Sequence, residues 1–234
     1  KYAVDIGSGL PIGYEPSGTD WHERLNKLFL VNDEGTLSMI DKDGSNINNW
    51  FVGGDLEGLT IADPSSNFVY IGREHQDAIL EFNIITGGVT REFDLTPWMM
   101  GAINEGLEGL TFVKIDGHPE GGHFWALHQG EGKVYVFELP IVTSSISTMV
   151  TPITVHHPII GRTDASGADY SPVFDIIYMI YDTNNKVALL DTNGNLIQDL
   201  NLPQQDQEGI AVNARCDTFI TQDTNKKVWF YEGG

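Results

Sequence analysis

"DLEGLTI", residues 55–61, sets a Glu-Gly pair inside an otherwise apolar, strand-like run, and the pair returns in "GLEGLTF" at 106–112 and "DQEGIAV" at 206–212. A carboxylate in a core strand is costly unless something pairs it. Three copies therefore raise two questions, what repeats and what pairs the Glu. Two weaker copies carry Ser in place of Glu, "SGTDW" at 17–21 and "SGADY" at 166–170. The five starts are then Ser17, Glu57, Glu108, Ser166 and Glu208, with a mean period of about 47 residues, in the range of propellers and other arrays.

After each start comes a second apolar run: "KLFLVND", "NFVYIGRE", "HFWALHQ", "DIIYMIYD" and "DTFITQD". A third follows, beginning "GTLSMID", "DAILEFN", "GKVYVFEL", "NKVALLD" or "KKVWFYE". These runs alternate or are rich in β-branched and aromatic residues, and no stretch shows helical periodicity. "DKDGSN", "ITGGVT" and "DTNGNL" are Asn/Asp/Gly turns leading to fourth strands such as "VTREFDL" and "NLIQDLNL". The two Asp-rich turns lack the Glu at loop position twelve and the flanking helices of an EF-hand. The chain reads as an all-β, five-bladed β-propeller of four-stranded antiparallel blades, one domain over residues 1–234. The fifth unit stops at its third strand, "VWFYEGG", and the N-terminal "KYAVDIG" is expected to supply its fourth, closing the ring and removing two exposed edges. The long segment "IVTSSISTMVTPITVHHPIIGRTDA" of the third unit reads as a loop or an elaborated outer strand, with His156 and His157 as an exposed polar pair in a loop.

Thirteen Lys and Arg against 33 Asp and Glu give a formal charge of -20, a surface that repels phosphate backbones and anionic headgroups. Nucleic acid is excluded as a partner, and cations are favoured. No apolar run approaches the ~20 residues needed to cross a bilayer. The chain is expected to be soluble as given, a removed leader or anchor being compatible with that, and to be a monomer. The single cysteine, Cys216, rules out an internal disulfide framework and a thiolate metal site.

In a meander whose first strand lies innermost, Glu57, Glu108 and Glu208 open three inner strands at one mouth of the channel, with Ser17 and Ser166 in the equivalent places. The second-to-third hairpins bring Asn32, Asp33, Glu34, Arg73, Glu74, His128, Gln129, Asp182, Gln222 and Asp223 to the same face. Three carboxylates gathered at a narrow mouth repel one another unless a cation compensates. Oxygen ligands without thiols favour Ca²⁺, which takes six to eight oxygens, over Zn²⁺. The expectation is a Ca²⁺ ion held across blades by Glu57, Glu108 and Glu208; the competing reading is a latch, each Glu accepting backbone N–H bonds from a neighbouring blade while the Gly permits close approach. Three residues after each Ser start stand Asp20 and Asp169, a second carboxylate level that either extends the site or bonds adjacent backbone.

The ordered set "SGTDWHERLNKLFLVND", "DLEGLTI", "GLEGLTF", "SGADY" and "DQEGIAV" resembles the SdiA-regulated family of bacterial β-propellers, itself similar to phytase-like and esterase-like propellers. The resemblance spans Ser17 to the C-terminus. It implies an extracytoplasmic protein, periplasmic, envelope-associated or secreted, with a channel-mouth Ca²⁺ that falls on Glu57, Glu108 and Glu208. Propeller phytases pair several Ca²⁺ ions with a basic phosphate-binding patch; this mouth offers Arg73, with Lys133, Lys186, Lys226 and Lys227 beyond the hairpins, and no phytase motif. Three functions compete: a Ca²⁺-stabilised propeller recognising a small ligand or cell-surface component; a Ca²⁺-dependent hydrolase of phosphoesters, esters or lactones, with His128, Asp33 or Glu74 moving protons; and a rim-binding scaffold. Fold alone does not choose among them.

Overall fold

The alternating runs become strands because every second side chain can be buried between neighbouring sheets. In the computed structural model, residues 3–99, 101–102, 104–203, 205–224 and 226–233 are described. They form twenty strands. β1 (Ala3–Asp5) precedes blade 1, made of β2 (Pro16–His22), β3 (Lys27–Asn32), β4 (Thr36–Ile40) and β5 (Asn48–Phe51). Blade 2 comprises β6 (Asp55–Thr60), β7 (Phe68–Glu74), β8 (Ala78–Asn83) and β9 (Gly88–Asp94). Blade 3 comprises β10 (Leu107–Lys114), β11 (Gly122–His128), β12 (Lys133–Glu138) and β13 (Thr151–His156). Blade 4 comprises β14 (Ala165–Ser171), β15 (Ile176–Tyr181), β16 (Lys186–Leu190) and β17 (Leu196–Asn201). Blade 5 runs β18 (Gln207–Val212), β19 (Thr218–Gln222) and β20 (Lys227–Tyr231), and β1 is its outer strand.

This is the expected five-bladed propeller. The ring closes as foreseen: Ala3 pairs with Tyr231 and Asp5 with Trp229, and Lys227 Nζ binds Asp5 Oδ2 at 2.7 Å. The core lies between successive blades. Phe29, Val31 and Leu37 of blade 1 interlock with Leu56, Leu59 and Ile71 of blade 2, and Trp21 stacks on Phe219 where blade 1 meets blade 5. The turns at Asp41–Gly44 and Asp191–Gly194 are turns, closed by the Gly44 and Gly194 N–H groups on Asp41 and Asp191 carbonyls.

The long segment of blade 3 resolves into a pinned loop followed by β13. Arg91, buried and paired with buried Glu81, donates to the carbonyls of Pro140 and Ser144 at 2.8 Å and Ser147 at 3.1 Å. Buried Glu120 accepts Val142 N–H at 2.6 Å and Thr143 N–H at 3.2 Å. His156 departs from expectation: it ends β13 and stacks on Trp125 at 4.8 Å, while His157 is exposed. An indole face one blade-layer inward gives the first ring apolar contact that its neighbour lacks.

Candidate metal centre

Each inner strand is broken at its start by a register shift against its neighbour. The shifts fall between Pro16 and Thr19, Leu56 and Gly58, Leu107 and Gly109, Ala165 and Ala168, and Gln207 and Gly209. Glu57, Glu108 and Glu208 are therefore bulge residues, outside the ladder register, in the setting where a bulge re-aims a side chain. All three line one cavity of about 470 Å³, the upper cup, with Ser17, Asp33, Asp55, Glu74 and Asp223 among its other walls.

The Gly after each start has a separate task. A Cβ on Gly18 would stand 2.5 Å from the Glu57 carbonyl oxygen, on Gly58 2.6 Å from Leu110 Cβ, on Gly109 2.8 Å from the Ser166 carbonyl and on Gly167 2.5 Å from the Glu208 carbonyl. On Gly209 it would collide with the Ser17 carbonyl. Each glycine thus lets the next blade's inner strand approach, all the way around the ring. The result is a waist lined by these glycines that admits no water. Below it lies a second cavity, the lower cup, of about 560 Å³.

The waist separates the two carboxylate levels. Asp20 and Asp169 line the lower cup and do not extend the upper one. Asp20 Oδ2 accepts Ile61 N–H at 2.7 Å and the Thr60 hydroxyl at 3.3 Å; Asp169 Oδ2 accepts Val212 N–H at 2.6 Å. These are the latches, each tying its blade to the next. Among the described residues no backbone N–H donates to the Glu57, Glu108 or Glu208 carboxylate, so the latch chemistry falls on the aspartates. Ser166 gives its hydroxyl to the Gln207 carbonyl at 2.8 Å, and Ser17 gives its own to Asp33 Oδ1 at 2.8 Å.

Charge is crowded in the upper cup. Burial pushes Glu57 up to about 9, reinforced by Asp33, Asp55 and Glu208. Glu208 rises to about 8 through burial, then Asp182 and Asp223. Glu108 lies well above the usual range through burial, then Glu57 and Glu208. At the rim burial lifts Asp33 to about 6 against the Ser17 hydroxyl, and Asp182 to about 6 with help from Asp164. Oxygens of Asp33, Asp55 and Glu57 all lie within 4.8 Å of one another. Oxygen-only donors this close, each strained by its neighbours, fit a hard divalent cation.

The other predicted residues divide. Glu74 lines the cup, its Oε1 accepting Gly106 N–H at 2.9 Å, and Asp33 and Asp223 line it too. Asp182 lies against Glu208, with Oδ1 on Gln207 N–H at 2.8 Å. Arg73 turns away to Glu92, at 2.7 and 3.2 Å, because that carboxylate across the blade is its nearest partner. His128 is buried in blade 3, with Nδ1 accepting Glu131 N–H at 3.3 Å and its ring 6.0 Å from Tyr135, outside the cup's lining. Asp55 is the residue that sequence reasoning missed. Its signal was present: two positions before the start stand Glu15, Asp55, Asp164 and Asp206, with Gly106 the exception.

By sequence the chain matches no family model and no curated protein. By structure it is similar to the Myxococcus xanthus glutaminyl cyclase, with a TM-score of 0.70 at 12% identity over 99% of this chain and 93% of that one. It is also similar to a streptogramin B lyase, with a TM-score of 0.54 at 14% identity over 99% of this chain and 73% of that one. At such identities the likeness establishes the fold. The chain is a five-bladed β-propeller. Among the described residues no helix is long and apolar enough to cross a membrane.

Proposed function

We propose that this propeller binds Ca²⁺ in the upper cup, through Glu57, Glu108 and Glu208 with Asp33 and Asp55, and presents that mouth to a small ligand or cell-surface component. One observation carries the reading: three Glu side chains sit on bulges, converge on one cavity, and take no backbone N–H from the described residues. When bound, the ion supplies neutralising charge and a Lewis-acidic face. The ordered motifs support placing the chain with the SdiA-regulated propellers, and an extracytoplasmic location with millimolar Ca²⁺ accords with a site made only of oxygen donors.

A Ca²⁺-dependent hydrolase of neutral esters or lactones is the second reading, favoured by Asp33 at about 6 on the rim, where a carboxylate can exchange a proton near neutral pH. Phosphoester hydrolysis is disfavoured, since Arg73 is engaged with Glu92 and the cup is walled by carboxylates.

The deciding experiment is calorimetric titration of metal-stripped protein with Ca²⁺ in two buffers of different ionisation enthalpy. Binding with proton release is expected at pH 7, because Glu57 and Glu208 ionise only near 9 and 8 until a cation arrives. Heats identical to a blank, with stripping confirmed, would end the calcium reading. A screen of carboxylic esters and lactones against Asp33→Asn then separates hydrolase from binder.

A further inference from the structure

The lower cup lies at the opposite end of the channel and belongs to no part of the upper site. Its volume, about 560 Å³, is that of a small-molecule pocket. Its walls are largely apolar, including Trp21, Ile61, Phe112, Val142, Val173 and Val212. Part of one wall is the blade 3 loop, which Arg91 and Glu120 fix in place, so the cup is preformed. Two carboxylates of opposing blades, Asp20 and Asp169, meet in it. Asp169 is nine-tenths buried, and its carboxyl is held well above the usual range by burial and then by Asp20, which burial itself lifts to about 7.

The backbone uses only part of their capacity. An ionised carboxylate has about four acceptor sites; Asp20 takes Ile61 and Trp21 backbone and the Thr60 hydroxyl, and Asp169 takes Val212 and Tyr170 backbone, which leaves acceptor capacity on each. Compensating charge is not at hand. Lys114 is the basic residue among those described in the lining, and its ammonium is turned to Asp116 at 2.9 Å on the exposed surface. A hard metal ion is a poor match, since it needs six to eight oxygens and most of the wall is hydrocarbon. A cation that brings its own apolar body satisfies both surfaces at once.

We infer that the lower cup is a second binding site, taking a protonated amine on an apolar or aromatic body, with the ammonium between Asp20 and Asp169 and the body against Phe112, Val142 and Val212. The ammonium donates up to three hydrogen bonds to acceptors that the backbone leaves over, in a dry setting where a charge-assisted bond is stronger than in water. The inference is independent of the calcium reading.

The probes are phenethylamine and phenethyl alcohol, alike in shape and different in charge, titrated calorimetrically into the whole chain with and without 1 mM Ca²⁺. The amine is expected to bind at least tenfold more tightly than the alcohol. Asp169→Asn keeps an oxygen for Val212 N–H and should abolish that preference. Val142→Lys, at an exposed position of the wall, should block the amine. Neither substitution should alter the Ca²⁺-induced rise in Tm. Equal binding of the two probes, no binding of the amine, or a preference that survives Asp169→Asn would overturn the inference. So would competition between amine and Ca²⁺, since that would seat the amine in the upper cup. Amine binding by a protein that ignores Ca²⁺ would support it while removing the calcium site.

Discussion

The two cups are built from the same five strands and both present carboxylates to the channel axis, yet the inner-strand acids of the two differ in their backbone partners. Above the waist, Glu57, Glu108 and Glu208 stand on bulges and face one another. Below it, Asp20 and Asp169 grip the N–H groups of Ile61 and Val212 on the adjoining blades. A carboxylate that accepts a backbone N–H helps hold the ring together. One that is left among its own kind is pushed toward its protonated form.

The strongest test of that partition strikes the waist itself. Gly109→Ala would press a methyl into the Ser166 carbonyl and Leu127, and overpacking of this kind costs about 1–3 kcal/mol. Tm should fall by about 2–4 °C per kcal/mol for a chain of this size, with or without Ca²⁺. A variant as stable as the parent would mean that the blades are not in close contact there.

Next in size is a pair of substitutions with opposite signs. Asp169→Ala leaves Val212 N–H without its acceptor and should cost about 1–3 kcal/mol. Glu108→Gln removes a carboxyl that folding holds protonated at a cost, so at pH 8 the metal-free variant should gain on the order of 1 kcal/mol. It should also respond less to Ca²⁺ than the parent does. Denaturant unfolding reads both, and like signs would erase the distinction between the cups.

The pH dependence has a definite sign. Folded-state values above the ordinary 4.5 mean that the folded state binds more protons than the unfolded chain. The stability that these acids contribute to the metal-free protein is therefore full below about 4.5 and is lost as pH rises through about 8 and 9. Saturating Ca²⁺ should flatten the decline, because bound carboxylates are ionised throughout. Thermal melts across that range would measure it, and a metal-free protein equally stable at pH 5 and pH 9 would contradict the crowding.

Most of this architecture could be read from the chain. Five starts in order, with strand runs behind them, specify blades, order and closure, since a meander has few ways to bury its apolar faces. Glu57, Glu108 and Glu208 were legible because radial repetition converts a period in sequence into neighbours in space. Three things were not. A bulge is a two-against-one count between strands, invisible in either strand alone. The waist depends on how closely neighbouring blades approach, so the sequence shows a second carboxylate level at Asp20 and Asp169 and not the constriction that parts it from the first. His128 lies outside the cup's lining because a hairpin's position says which rim it reaches and not which way its last side chain turns; here the ring packs beside Tyr135 and against Gly101.

The bulge has one further consequence. A residue outside the ladder register can be exchanged with little effect on strand pairing, so this position in each blade is an adjustable socket. Two sockets now hold serine, Ser17 and Ser166. Because calcium affinity follows the number of charged ligands and the rigidity of their frame, the site proposed above predicts that introducing Glu at Ser17 or removing one at Glu208 tunes its affinity in steps on an unchanged scaffold. A propeller made this way is a dial whose settings are written one blade at a time.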